Sequence, residues 1–158
     1  MIVVSDTTPI HYLILIQKES ILPALFAEIV IPAAVIVEMT HPNAPEPVRS
    51  WAESPPEWVT VMSGKEEILS RITGLGRGET SAIAIAIELE ADGLLTDDRK
   101  AIREAVNNGL SVLTTFALLE LASRKGLVDF GSVIGELSNT SFHFPPDEIV
   151  EEFLRRNR

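Results

Sequence analysis

The stretch from Ser81 to Lys100, SAIAIAIELEADGLLTDDRK, carries the decision between fold classes. Its first half alternates isoleucine with alanine, which is the period of a strand. Alanine, however, is the best helix former and a poor strand former, and the stretch runs on to Ala91, so the residues predict a helix over 79–91. A helix that is apolar on every side is a buried one. It delivers the chain to a short apolar run, Leu94 to Thr96, that stops at Asp97 and Asp98 before another helical pattern over 99–108. Helix, buried strand and helix in that order belong to a parallel sheet with crossover helices.

The same alternation extends in both directions. Ile2 to Val4, Ile29 to Ile31 and Ser111 to Leu113 are further strand candidates, with Trp58 to Val61 a weaker one. None alternates as a half-exposed strand would, which suits strands covered on both faces. Helical patterns occupy about 8–16, 21–27, 33–40, 46–53, 65–72 and 116–125, with Pro32 expected at a first helical position and Gly109 and Gly126 just past helix ends. After Gly126 the pattern weakens, until PPDEIVEEFLRRNR (145–158) forms an amphipathic terminal helix with acids in its first turn and arginines in its last. Its stripe of Ile149, Val150, Phe153 and Leu154 is expected to pack on the body of the same domain. The expectation is an α/β fold: a three-layer α/β/α domain over residues 1–158, with a central, mainly parallel sheet of four or five strands.

Composition narrows the function. The chain has 158 residues, 46% hydrophobic and 23% charged, ordinary for one globular domain. It has no cysteine, which removes disulfides, thiolate nucleophiles, zinc fingers and iron–sulfur clusters. The amino terminus has no basic leader, and Ile10 to Ile16 is too short to span a bilayer, so a cytoplasmic protein without membrane contact is expected. Thirteen basic against 23 acidic residues give a formal charge of −10, which opposes a broad grip on nucleic acid.

Within that acidic chain, the informative feature is where certain acids fall. Asp6 follows the first strand in VVSDTTPI, and Asp97 and Asp98 follow another in GLLTDDRK. In a parallel sheet the carboxyl ends of the strands share one edge, where ligands bind. Glu79 opens the helix leading down to the Leu94 strand, so it starts at the height to which that strand returns. Glu38 lies about six residues into a helix, some 9 Å along its axis, and helix geometry alone does not bring it to the edge. Single aspartates after strands are also common caps, and one of the Asp97–Asp98 pair is open to that role. Two carboxylates 4 Å apart repel by roughly 4 kcal/mol at an effective dielectric of 20, so three or four together require a cation. All-oxygen ligands point to Mg²⁺ or Mn²⁺, ions of phosphate chemistry. Thr7, Thr8 and Thr96 flank the acids and are placed to orient water or a carboxylate.

Taken together, SDTTPI, IPAAVIVEM and LLTDDRK resemble the successive motifs of the PIN-domain family of metal-dependent ribonucleases, in particular VapC-like toxins of toxin–antitoxin pairs. GLGRGETSAIAIAIELEADGLLTDD is similar to a PIN subgroup with a GxGExxAIxxA helix followed by LLxDD. The resemblance covers roughly Met1 to Phe130. It implies Asp6, Glu38, Glu79 and Asp98 as metal ligands, with Asp97 an alternative or additional fourth acid, and single-stranded RNA, an antitoxin protein and a second copy of the chain as partners. Two departures stand out: a glutamate at the start of the helix replaces an aspartate within it, and Arg99, Lys100 and Ala101 stand where a later acid is usual. One metal, or weak activity, is expected in consequence.

The remaining signals are less specific. Arg77, Arg99 and Lys100 are candidates to meet substrate phosphates beside Thr7 and Thr96, with Arg77 near the mouth of the site. His11 is expected as a core or edge residue, and His41 and His143 suggest no chemistry. A haloacid-dehalogenase-like phosphohydrolase is the alternative enzyme, but Thr8 breaks its DxD signature. A catalytically weak PIN module acting by protein or RNA binding is the other alternative.

Overall fold

The computed structural model describes residues 1–158. Five strands, β1 (Ile2–Ser5), β2 (Glu28–Pro32), β3 (Val59–Met62), β4 (Gly93–Leu95) and β5 (Val112–Leu113), form one sheet in the order β3-β2-β1-β4-β5. Every neighbouring pair is parallel. Ten helices, α1 (Thr7–Leu15), α2 (Ile21–Leu25), α3 (Ala33–Met39), α4 (Glu46–Glu53), α5 (Glu66–Leu69), α6 (Arg77–Leu89), α7 (Arg99–Asn107), α8 (Thr115–Arg124), α9 (Phe130–Ser138) and α10 (Asp147–Arg156), complete the three-layer α/β/α fold. No helix is long and apolar enough to cross a membrane.

Side chains alternate across each strand; in β1, β2 and β4 both faces are buried, whereas the edge strand β3 exposes Thr60 and Val61, contrary to the expectation that no strand is half-exposed. Val3, Ile29, Ile31 and Leu95 point into one core, which also holds Ile10, Leu13, Phe116, Leu118 and Phe130. Val4, Val30 and Leu94 point into the other, filled mainly by Ala82, Ile83, Ala84, Ile85 and Ala86 of α6. The alternating isoleucines and alanines are thus a helix buried against the sheet.

Three local readings change. Pro32 is the last residue of β2 and caps α3 from outside, so its φ of −59° belongs to extended backbone, with ψ 144°. The weak pattern after Gly126 conceals α9, whose Phe130, Val133, Ile134 and Leu137 are buried at helical spacing. Gly131 and Gly135 dilute that signal, but Asp129 caps the helix by accepting from Ser132 N and Oγ at 2.9 and 2.8 Å. The stretch near 65–72 contains only the single turn of α5.

The terminal helix packs back on the fold. Phe116 meets Phe130, Phe142, Phe144 and Phe153 at centroid distances of 5.4–6.1 Å. Beyond this cluster, Arg156 donates through Nε and Nη2 to the buried Glu120 at 2.5 and 2.9 Å, and Asn157 adds a third bond at 2.7 Å. Arg156 beside it holds the Glu120 carboxyl below the ordinary range. The packing makes Phe116 the common support of α9, α10 and the connection between them. Phe116→Ala is expected to cost about 3 to 5 kcal/mol, as large-to-small core changes do. Calorimetry should register this as a fall in Tm of roughly 10 °C. A Tm within a degree or two of the parent would refute the assigned role.

Candidate active site

β1 and β4 lie side by side at the centre of the sheet, where chain order turns from β2 and β3 on one side to β5 on the other. Ligand crevices of parallel sheets open at the carboxyl ends of such a reversal. The register pairs Ser5 with Leu95, so the next residues, Asp6 and Thr96, meet at that edge. Asp6 N donates to Leu95 O at 3.1 Å, extending the ladder by one bond and fixing the Asp6 backbone.

Asp6 is only 4% exposed. Its Oδ2 accepts from the fully buried Thr96 hydroxyl at 2.5 Å, while Oδ1 is buried with no hydrogen-bond partner. Burial pushes the Asp6 carboxyl up to about 8; the Thr96 bond opposes that rise, and the charges of Asp97, Glu79 and Asp98 add to it. Thr96 also receives Asp98 N on the same hydroxyl, at 3.3 Å.

Glu38 does reach the edge. Its carboxylate accepts from the Thr7 hydroxyl and, at 3.1 Å through Oε1, from Gly78 N in the first turn of α6. This placement follows from α3 packing across α1 and α6 as well as β2. Glycine at position 78 admits that approach, because a Cβ there would stand 2.8 Å from Glu38 Oε1 and 3.2 Å from Thr7 Oγ1, and the Glu38 side chain would have to shift. Glu79, half-buried in the same turn, folds back over Gly76, where a Cβ would lie 2.5 Å from its Oε2.

The two adjacent aspartates divide. Asp97 spends both oxygens on α8, accepting from Thr115 N at 2.8 Å and Thr115 Oγ1 at 2.5 Å. Burial raises its pKa and those two bonds oppose the rise. Exposed Asp98 caps α7 with one oxygen, Oδ2, which accepts from Ala101 N at 2.8 Å.

Glu79, Asp97 and Asp98 line a cleft of about 1280 Å³ that opens from this edge. Arg99 and Lys100 line it too, whereas Arg77, exposed at the start of α6, does not. Two further contributors escaped the sequence reading: Arg103, one turn beyond Arg99 on α7, and an aromatic wall that includes Phe144. Arg103 follows from helical spacing once α7 is placed. The wall has no local signal, since it depends on how residues 142–153 fold back. His11 is part-buried on α1 against Tyr12, as expected for an edge residue, and burial lowers its pKa.

The donor set suits a hard cation. One carboxylate oxygen is buried and unpartnered among like charges, and Glu79 and Asp98 stand near it. No three acidic or imidazole groups converge closely enough to form a ready-made metal site.

A family model described as PIN domain matches residues 2–157. Among solved structures, a PilT N-terminus domain protein from the hyperthermophilic archaeon Sulfolobus solfataricus P2 is similar in fold. It is 17% identical with a TM-score of 0.53, over 92% of this chain and 99% of that one. Comparison with curated proteins returns no match.

The state of Asp6 has a measurable consequence. Its folded pKa of about 8 exceeds the ordinary 3.8, so the folded protein holds a proton that the unfolded chain releases. That proton stabilises the cation-free fold at low pH, and the contribution is lost as pH rises through the window, at no more than about 1.4 kcal/mol per unit. Melting of chelator-treated protein should therefore fall between about pH 5 and pH 8, and Asp6→Asn should flatten the slope and melt higher at the upper end. An equal slope in parent and variant would show that Asp6 is not the titrating group.

Proposed function

We propose, from the premise that the chain belongs to the PIN-domain family, that it is a Mg²⁺- or Mn²⁺-dependent endoribonuclease. PIN domains are generally nucleases and usually use divalent metals. The observation that carries the finer reading is Asp6 Oδ1, a buried, unpartnered carboxylate oxygen at the edge where three more acids raise its proton affinity. Burying such a group without a counter-charge is costly, and a cation relieves the cost.

Asp6, Asp98 and Glu79 would hold the ion, with Glu38 acting through water because both Thr7 and Gly78 already donate to its carboxylate. The ion would supply positive charge to a phosphodiester and acidify the attacking water. The rest falls to the chain. Thr96 fixes the Asp6 carboxylate through Oδ2 and leaves Oδ1 without a hydrogen-bond partner, the oxygen that would take the ion. Glu38 ties the starts of α1 and α6 together, which keeps Glu79 at the edge. Arg99 and Lys100, on the wall next to Asp98, offer charge to the phosphates on either side of the scissile bond. Asp97, with both oxygens bonded to Thr115, supports the site and is not proposed as a ligand. Asp98 is the fourth acid.

The motif order supports a VapC-like toxin role, with an antitoxin protein and a second copy of the chain as its partners. The family match, together with Thr8 at the position where a second nucleophile-side acid is needed, disfavours a haloacid-dehalogenase chemistry.

On single-stranded RNA, Asp6→Asn and Glu79→Gln are expected to lower divalent-dependent cleavage at least as far as the roughly 100-fold cost of losing an outer-shell partner. Chelator should abolish the parent's activity. Cleavage that persists through both chelator and Asp6→Asn, in identically purified samples, would refute the proposal. Gly78→Ala is expected to lower cleavage about tenfold by displacing Glu38, with Tm unchanged or higher because alanine favours helix. An unaffected rate would mean that Glu38 has no part in the site.

A further inference from the structure

We infer that the wall of the cleft formed by residues 142–146 is a base-stacking subsite for single-stranded RNA, with the Phe144 ring as its platform and α7 opposite as its phosphate rail. The inference rests on the ribonuclease reading and adds to it the part of the substrate recognised away from the acids.

The two walls differ in chemistry. On α7, Arg99, Lys100 and Arg103 are exposed, and none has a carboxylate within ion-pair distance; the chain's four ion pairs involve Lys65, Arg124, Arg155 and Arg156. In a chain of charge −10, three unpaired cations beside the acidic edge form a local path for a polyanion. Arg99 and Arg103 are one turn apart and share a face of the helix.

The four aromatic rings that line the same cleft are not equivalent. Phe116 and Phe142 are buried, at 3% and 8% exposure, and support the wall from behind. Phe153 is stacked on Phe130 on one side and capped by the Arg156 guanidinium at 4.1 Å. Phe144 is part-buried and lines the cleft, held edge-to-face by Phe116 at 5.6 Å and by Phe142 at 5.3 Å, with Pro145 and Pro146 stiffening the chain beside it. A ring fixed in advance loses little freedom when a base stacks on it. Aromatic platforms facing cationic grooves are how proteins hold single strands with little sequence preference. A duplex keeps its bases stacked inside and has none to offer.

Binding is measured in chelator, so that cleavage does not interfere, using fluorescence anisotropy of a labelled single-stranded RNA and a length-matched strand with abasic positions. The parent is expected to bind the base-bearing strand roughly tenfold more tightly, the scale of one base–aromatic stack. Phe144→Ala and the better-packing Phe144→Leu should bring that ratio close to one, and Phe144→Trp should keep it. Arg103→Gln should weaken both strands equally and reduce the salt dependence by about one phosphate contact. A parent ratio of one overturns the inference, and so does a ratio unchanged in folded Phe144→Leu. Cleavage with Mg²⁺ or Mn²⁺ is a separate arm. If the ratio behaves as expected but RNA is never cut, the stacking subsite stands and the nuclease reading falls; if RNA is cut but Phe144 variants keep the ratio, the reverse holds.

Discussion

The site depends on one carboxylate held half-satisfied. Asp6 is carried to the centre of the sheet by β1, where Thr96 takes one of its oxygens and nothing in the chain takes the other. A fully buried acid is ordinarily either paired or neutral. Here protonation answers the problem when no cation is present; the neighbouring acids favour that answer, and it is lost as pH rises past the Asp6 pKa of about 8. The arrangement costs stability at the edge, a frequent feature of functional sites.

Most of the architecture was legible because local and global preferences agree. The strands are short and bounded by turns or helix starts, the central ones are apolar on both faces, and the Ile/Ala segment resolves on alanine's propensity rather than on its period. α9 was hidden because two glycines and two serines interrupt nine residues, and only the buried spacing of Phe130, Val133, Ile134 and Leu137 reveals it. Pro32 shows a smaller limit: both a strand end and a helix start accept its fixed φ, so sequence leaves the boundary ambiguous by one residue.

The candidate site was legible where it follows from sheet direction and obscure where it follows from packing. Asp6, Asp98 and Glu79 are placed by strand ends and one helix start. Glu38 is placed by the angle at which α3 crosses α1 and α6, which no periodicity encodes. What distinguishes Asp97 from Asp98 is Thr115, eighteen residues away in sequence from Asp97, which bonds both Asp97 oxygens. The aromatic wall is more remote still, since it arises when residues 142–153 return to Phe116.

Asp97 and Asp98 also set the width of the cleft. Asp98 caps α7, which carries the three free cations, and Asp97 is bonded to the start of α8, whose second residue is Phe116 beneath the aromatic wall. Two facing surfaces are thus hung from consecutive residues, like jaws from a single pivot. A residue inserted between them would re-gauge the opening while leaving Asp6 and Thr96 in register. One inserted residue there would therefore alter the girth of what the cleft admits and carry Asp98 along with α7, while Asp6 kept its place on β1.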